Sequence, residues 1–143
     1  MSLFDSISVS ASGLAAQRLR SEVLVENLAN SETTRTPEGG PYRRKDVVFQ
    51  TEPQTSPFAA VFQTELQSVG VGVAEILEDA RPPIKRYQPG HPDADAVGYV
   101  AYPNVNPAED MVDLMSAARA YQANLAAVSA VKDMIQKSID LVR

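Results

Sequence analysis

Proline partitions this chain. All ten prolines fall between Pro37 and Pro107, while residues 1–36 and 108–143 contain none. A proline removes a backbone donor and clashes with the preceding helical turn, so long helices are confined to the two ends. Glycine follows the same division, with Gly39, Gly40, Gly70, Gly72, Gly90 and Gly98 in the middle and Gly13 alone outside it. The expected order is an N-terminal helix within residues 1–36, a β-rich insert over 37–106 and a C-terminal helix over 107–143. The fold class is mainly α with a small β-rich insert, its long terminal helices pairing as a coiled coil.

Steps of four and three residues from Ile7 reach Ala11, Leu14, Arg18, Ser21, Val25 and Leu28, five of the seven apolar. That is helical periodicity. A second apolar set, Ala15, Ala16, Leu19, Val23 and Leu24, widens the stripe beyond what one partner helix covers. The helix is expected to stop near Asn30-Ser31. From Leu114 the same stepping reaches Ala118, Tyr121, Leu125, Val128, Lys132, Ile135, Ile139 and Val142, eight of the nine apolar. Asn104 and Asn106 flank its entry, Pro107 suits the first turn, and Glu109 and Asp110 complement the helix dipole. Met111, Met115, Ala117, Ala120, Ala127, Val131, Met134 and Leu141 form a further apolar set around the same helix. At roughly 1.5 Å per residue the two helices would be about 40 and 55 Å long.

Within the insert, Lys45–Thr51, the alternating Val69-Gly-Val-Gly-Val73 running on to Leu77, and Gly98–Tyr102 have strand composition. Pro37–Pro41 and Pro89–Asp93 mark turns. Seven of the nine aromatics lie here, enough for a small core of the insert's own. Residues 52–68, with Pro53 and Pro57, are the expected flexible excursion.

The absence of cysteine and the presence of a single histidine leave a zinc enzyme or a Ser-His-Asp hydrolase little to work with. A net charge of −5 opposes nucleic-acid binding, and no apolar run is long enough to insert into a membrane. The first residues lack the pattern of a cleaved secretory signal, so any passage across a membrane is expected to use another route. His91, Asp93 and Asp95 carry metal-ligating groups, but a Pro/Asp turn explains them without a metal. Gly70 and Gly72 lack the Lys-Ser/Thr pair of a phosphate loop. Arg43-Arg44-Lys45 reads as a solvated or intersubunit salt-bridging face. The adjacent pairs Glu78/Asp79 and Glu109/Asp110 do not form an acid/base dyad. No cofactor, metal or catalytic residue is expected.

Two helices apolar on more than one face, with no third helix beside them, cannot bury themselves in a monomer. Other subunits are the expected cover, and a heterologous interface that does not close generates a filament. Asn27, Asn30 and Asn124 are candidates for fixing register in such a seam, since an amide in an apolar interface trades stability for specificity. A helical adaptor that docks without polymerising is the alternative.

The pair Asn27-Leu-Ala-Asn30 and Tyr121-Gln-Ala-Asn124 resembles the terminal signatures of the bacterial flagellar axial proteins of rod and hook. Gly40-Pro-Tyr-Arg43, Val47-Val-Phe-Gln50, Tyr87-Gln-Pro-Gly-His-Pro-Asp-Ala-Asp95, Gly98-Tyr-Val100 and Tyr102-Pro-Asn-Val105 are similar, in order, to the proximal-rod members of the flagellar basal-body rod family. Glu26 departs from that pattern, which usually has a small residue there. The resemblance implies a structural rod subunit in the periplasm, exported by the flagellar type III apparatus, with copies of itself and other rod proteins as neighbours. It further implies an inner layer of terminal helices around the export channel, with the insert outside. The assembly interface expected on the first helix is Ile7, Leu14, Val25, Asn27, Leu28 and Asn30. On the second it is Leu114, Ala118, Tyr121, Asn124, Leu125, Val128, Ile135 and Ile139.

Overall fold

The computed structural model describes residues 3–53 and 69–141. Two long helices enclose the insert in sequence: α1 (Leu3–Ala29), strands β1 (Lys45–Pro53), β2 (Val69–Glu78), β3 (Ile84–Tyr87) and β4 (Tyr99–Tyr102), then α2 (Pro107–Leu141). Of the excursion expected at 52–68, Glu52 and Pro53 finish β1 and the rest lies outside the described residues.

Local chemistry sets the helix ends. At the start of α2, the Asn106 side chain accepts a hydrogen bond from the Ala108 amide (3.2 Å) and Pro107 occupies the first helical position, where no donor is needed. At the end of α1, the Asn30 side-chain amide donates to the Glu26 carbonyl (2.9 Å) and the Ser31 hydroxyl to the Leu28 carbonyl (2.8 Å). Both ties add a second bond to carbonyls that already accept from the Asn30 and Ser31 amides (3.0 and 3.3 Å), which reinforces the last turn.

The helices pack antiparallel. Gly13 lies against Asn124, and further along α1 the Arg20 guanidinium reaches Asp113, nearer the start of α2 (3.4 Å). Asn124 and Gly13 meet closely: a Cβ on Gly13 would stand 3.2 Å from both amide heavy atoms of that side chain. The single glycine outside the insert therefore lets the helix backbones approach.

β1 and β2 form an antiparallel hairpin, Lys45 opposite Glu78 and Pro53 opposite Val69, with the register shifting between Val48 and Phe49 so that Ala74 is the extra residue of a bulge. This hairpin lies along α1. Lys45 bonds to Asn27 near one end, and the Val71 amide donates to the Ser12 hydroxyl near the other (3.0 Å). The distances agree: fifteen helical residues and seven strand residues both cover roughly 23 Å. β3 and β4 form a separate antiparallel ribbon, Ile84 opposite Tyr102 and Tyr87 opposite Tyr99. Gly98 holds a positive φ of 88°, and a Cβ there would come within 2.9 Å of the Tyr87 ring, so glycine is required.

Among the described residues the buried apolar ones are Ala16, Val23 and Leu24 on α1, Ala117 and Val131 on α2, and Tyr42, Val100, Tyr102 and Val105 in the insert. The described insert is two ribbons; of its seven aromatics Tyr42 and Tyr102 are buried, and Phe58 and Phe62 lie outside the described residues. Its first ribbon is a flat layer against α1, because a two-stranded hairpin has too little area to bury a core by itself.

A helix-insert joint and the faces left for neighbours

The most heavily bonded site is where α1 ends and β1 begins. Asn27 is fully buried, at 0% exposure. Its amide donates to the Lys45 carbonyl (2.8 Å), while its oxygen accepts from the Lys45 amide (2.9 Å) and from the Tyr42 hydroxyl (2.9 Å). The side chain thus pairs with the Lys45 backbone as a neighbouring strand would. Burial pushes the Tyr42 hydroxyl up to about 12, with Glu26, Glu78 and Asp110 adding to the effect. Around this knot, Lys45 Nζ pairs with Glu26 (2.6 Å), so the glutamate that departs from the family pattern has a partner in the insert.

Arg44 points the other way. Its guanidinium, mostly buried, stands 3.0 Å from Asp110 in the first turn of α2, with Asp46 at 3.5 Å and Asp113 at 4.0 Å. Two successive residues therefore grip both helices, Lys45 on α1 and Arg44 on α2. This corrects the reading of Arg43-Arg44-Lys45 as a solvated or intersubunit face: only Arg43 is exposed, and the other two pair inside the chain.

The three asparagines have three separate environments. Asn27 holds the insert and Asn30 the end of α1, where its oxygen also accepts from the Thr33 hydroxyl (3.1 Å). Asn124 alone lies in the α1–α2 seam, its amide donating to the Ala120 carbonyl (3.0 Å). Within the subunit, Asn124 is the one of the three that lies at a helix–helix contact. Asn27 is enclosed by its own chain.

The seam on α2 runs through Leu114, Ala117, Asn124, Val128, Val131 and Ile135, which are buried or half-buried. At about 100° per residue, Met111, Met115, Ala118 and Leu125 form a different stripe, about a quarter turn or more away, and all are exposed. Leu125 is 50% exposed and Ile139 57%, with Tyr121 exposed between stripe and seam. Val112, Met134 and Leu141 are exposed on a third side. On α1, Ile7, Leu14 and Leu28 are half-buried, whereas Val25 is 50% exposed beside Ala11, Arg18 and Glu22. The phase differs from the stepped stripe because α1 is covered on two sides, by α2 and by the hairpin.

The Pro/Asp loop is self-sufficient. Asp95 accepts from the Val97 and Tyr99 amides (both 2.9 Å), the Tyr99 bond being the main cause of its lowered pKa. Asp93 accepts from the Thr34 hydroxyl (2.8 Å), and the Asp93 amide donates to His91 Nδ1 (3.1 Å). Among the described residues no cluster of three metal-ligating side chains occurs, and no helix is long and apolar enough to cross a membrane.

The subunit therefore combines a joint that locks two antiparallel helices to a hairpin with helix faces left bare, and exposed apolar faces of this kind are characteristic of subunits that assemble. Residues 96–141 match the family described as flagellar basal body rod FlgEFG protein C-terminal. Across essentially its whole length the chain is similar to proteins named flagellar basal-body rod protein FlgC. The one from Borreliella burgdorferi is 41% identical, covering 100% of this chain and 99% of the relative. Those from Bacillus subtilis (41%, 99% of each chain) and Salmonella typhimurium (43%, 99% of this chain and 98% of the relative) agree. The chain belongs to the FlgC family of flagellar basal-body rod proteins.

Proposed function

We propose that this chain is a structural, non-catalytic subunit of the proximal rod, polymerising through its terminal helices with copies of itself and other rod proteins. One observation carries the reading: α2 is apolar on three sides and its own α1 covers one. Exposed apolar area of this extent marks a surface for partners. Val25, Ala118, Tyr121, Leu125 and Ile139 meet neighbouring subunits in this reading. Ile7, Leu14, Leu28, Leu114, Val128 and Ile135, half-buried in the subunit, complete that contact in this reading. The assembled helices form the inner layer around the export channel through which the subunit itself arrives by the type III route. Torque passes along the rod because interdigitated seams are close-packed and resist shear.

Leu125→Asp tests this. Leu125 is half exposed in the subunit, so folding should change by no more than about 0.5 kcal/mol. In the rod the carboxylate would be buried without a partner, at about 3–5 kcal/mol per contact. Swimming and recovery of the variant in purified basal bodies should both be lost; normal incorporation would remove α2's outer stripe from the interface.

A further inference from the structure

Asp110 is the one charged side chain among the described residues that is essentially sealed from solvent, at 1% exposure. Among those residues neither of its oxygens accepts a hydrogen bond, and Arg44 Nε makes none either, although Arg44 Nη2 stands 3.0 Å from Asp110 Oδ1. The contact is electrostatic, without the aligned bidentate geometry that makes such pairs strong. It is also contested. From β1, Asp46 approaches the same guanidinium at 3.5 Å; from α2 itself, Asp113 lies at 4.0 Å and Glu109 is adjacent in sequence. From α1 the nearest cation is Arg20, which pairs with Asp113 (3.4 Å), and from the preceding segment the buried Tyr42 hydroxyl is engaged with Asn27. Three carboxylates, Asp46, Asp110 and Asp113, therefore crowd the Arg44 guanidinium where the insert meets α2, and Asp113 also reaches Arg20.

We propose that Asp110 is a proton-operated latch: one proton taken up as pH falls tightens the joint between insert and α2, and its loss as pH rises loosens it. Neutralising Asp110 removes the sealed charge and leaves Arg44 to Asp46 and Asp113, which can also be solvated. The direction of its titration agrees. Burial raises the Asp110 pKa above the usual carboxylate range, Arg44 opposes this, and Asp46, Asp113 and Glu109 add to the rise. A carboxyl whose pKa is higher in the folded than in the unfolded chain binds its proton more tightly when folded. Its contribution to stability is therefore gained as pH falls through the folded value and lost as pH rises through it.

The test is native-state hydrogen exchange on the full-length chain at pH 5 and pH 7, corrected for intrinsic amide rates and read at the first turns of α2. Protection there should be greater at pH 5 than at pH 7. Asp110→Asn should be well protected at both pH values, and Asp133→Asn, on an exposed part of α2, should keep the wild-type dependence. Protection in Asp110→Asn that falls below wild type at pH 7, or that keeps the pH dependence, would overturn the latch. Should the variant not fold, carboxyl carbon shifts of the wild-type chain decide: Asp110 titrating above the ordinary carboxylate range supports the proposal, and titration within or below it refutes it.

Discussion

The two ends of the helix pair are built on opposite principles. Where α1 ends and α2 begins, polar groups are engaged within the chain: the buried Asn27 with the Lys45 backbone and Tyr42, and the half-exposed Lys45 side chain with Glu26. Toward the other end, Gly13 faces Asn124, and α2 runs on with Met134, Ile139 and Leu141 exposed. The difference teaches where the subunit keeps its own shape. Directional bonds at the joint specify one arrangement without help, whereas apolar side chains in water specify only that something must cover them.

The largest expected effect is at the centre of the joint. Asn27→Ala strands the Lys45 amide and carbonyl and the Tyr42 hydroxyl, and should cost about 3–5 kcal/mol in denaturant unfolding. A loss under about 1 kcal/mol would mean that the joint is not what holds the insert. In the seam, Gly13→Leu forces a side chain into the space where Asn124 already lies, and should cost about 1–3 kcal/mol by overpacking. Adding Asn124→Ala should recover part of it, and failure to recover would separate the two positions. Tyr42→Phe is the mildest, at about 1 kcal/mol near neutral pH, since the Asn27 oxygen keeps the Lys45 amide. Its alkaline arm is sharper. The Tyr42 pKa is raised from 10.0 to about 12 in the fold, so its contribution is present below pH 10 and is lost as pH rises toward 12. Ultraviolet titration should show one tyrosine ionising late, and Tyr42→Phe should flatten the alkaline loss of stability.

Much of this was legible in the chain and some was not, for physical reasons. Proline and glycine placement located both helices and the insert, because backbone constraints act locally. Asn106-Pro107 likewise revealed the start of α2. The phase of the α1 stripe was not legible: apolar residues spread around a wide arc suit two neighbours at once, and Ala11, Arg18 and Val25 are exposed in the subunit. Asn27 stood out as an amide at the end of an apolar helix, but its partners are Tyr42 and Lys45, 15 and 18 residues away across a turn, so its role needed the fold. β3 carries no strand signal in Ile-Lys-Arg-Tyr after two prolines; pairing with β4 makes it a strand. Asp110 looked like an ordinary acidic residue in a first helical turn, since nothing in sequence brings Arg44 to it.

The central claim is that the joint end is stable in the free subunit while the rest of α2 gains its order from neighbours. Residue-resolved hydrogen exchange, on the dilute chain and then on the chain assembled in rods, tests it most directly. Long helices without covered apolar faces are marginal in water. In the free chain the Lys45 amide and the first turns of α2 should therefore exchange slowly, and amides beyond about Val128 should exchange fast until assembly protects them. Slow exchange along the whole of α2 in the dilute free chain would contradict the account.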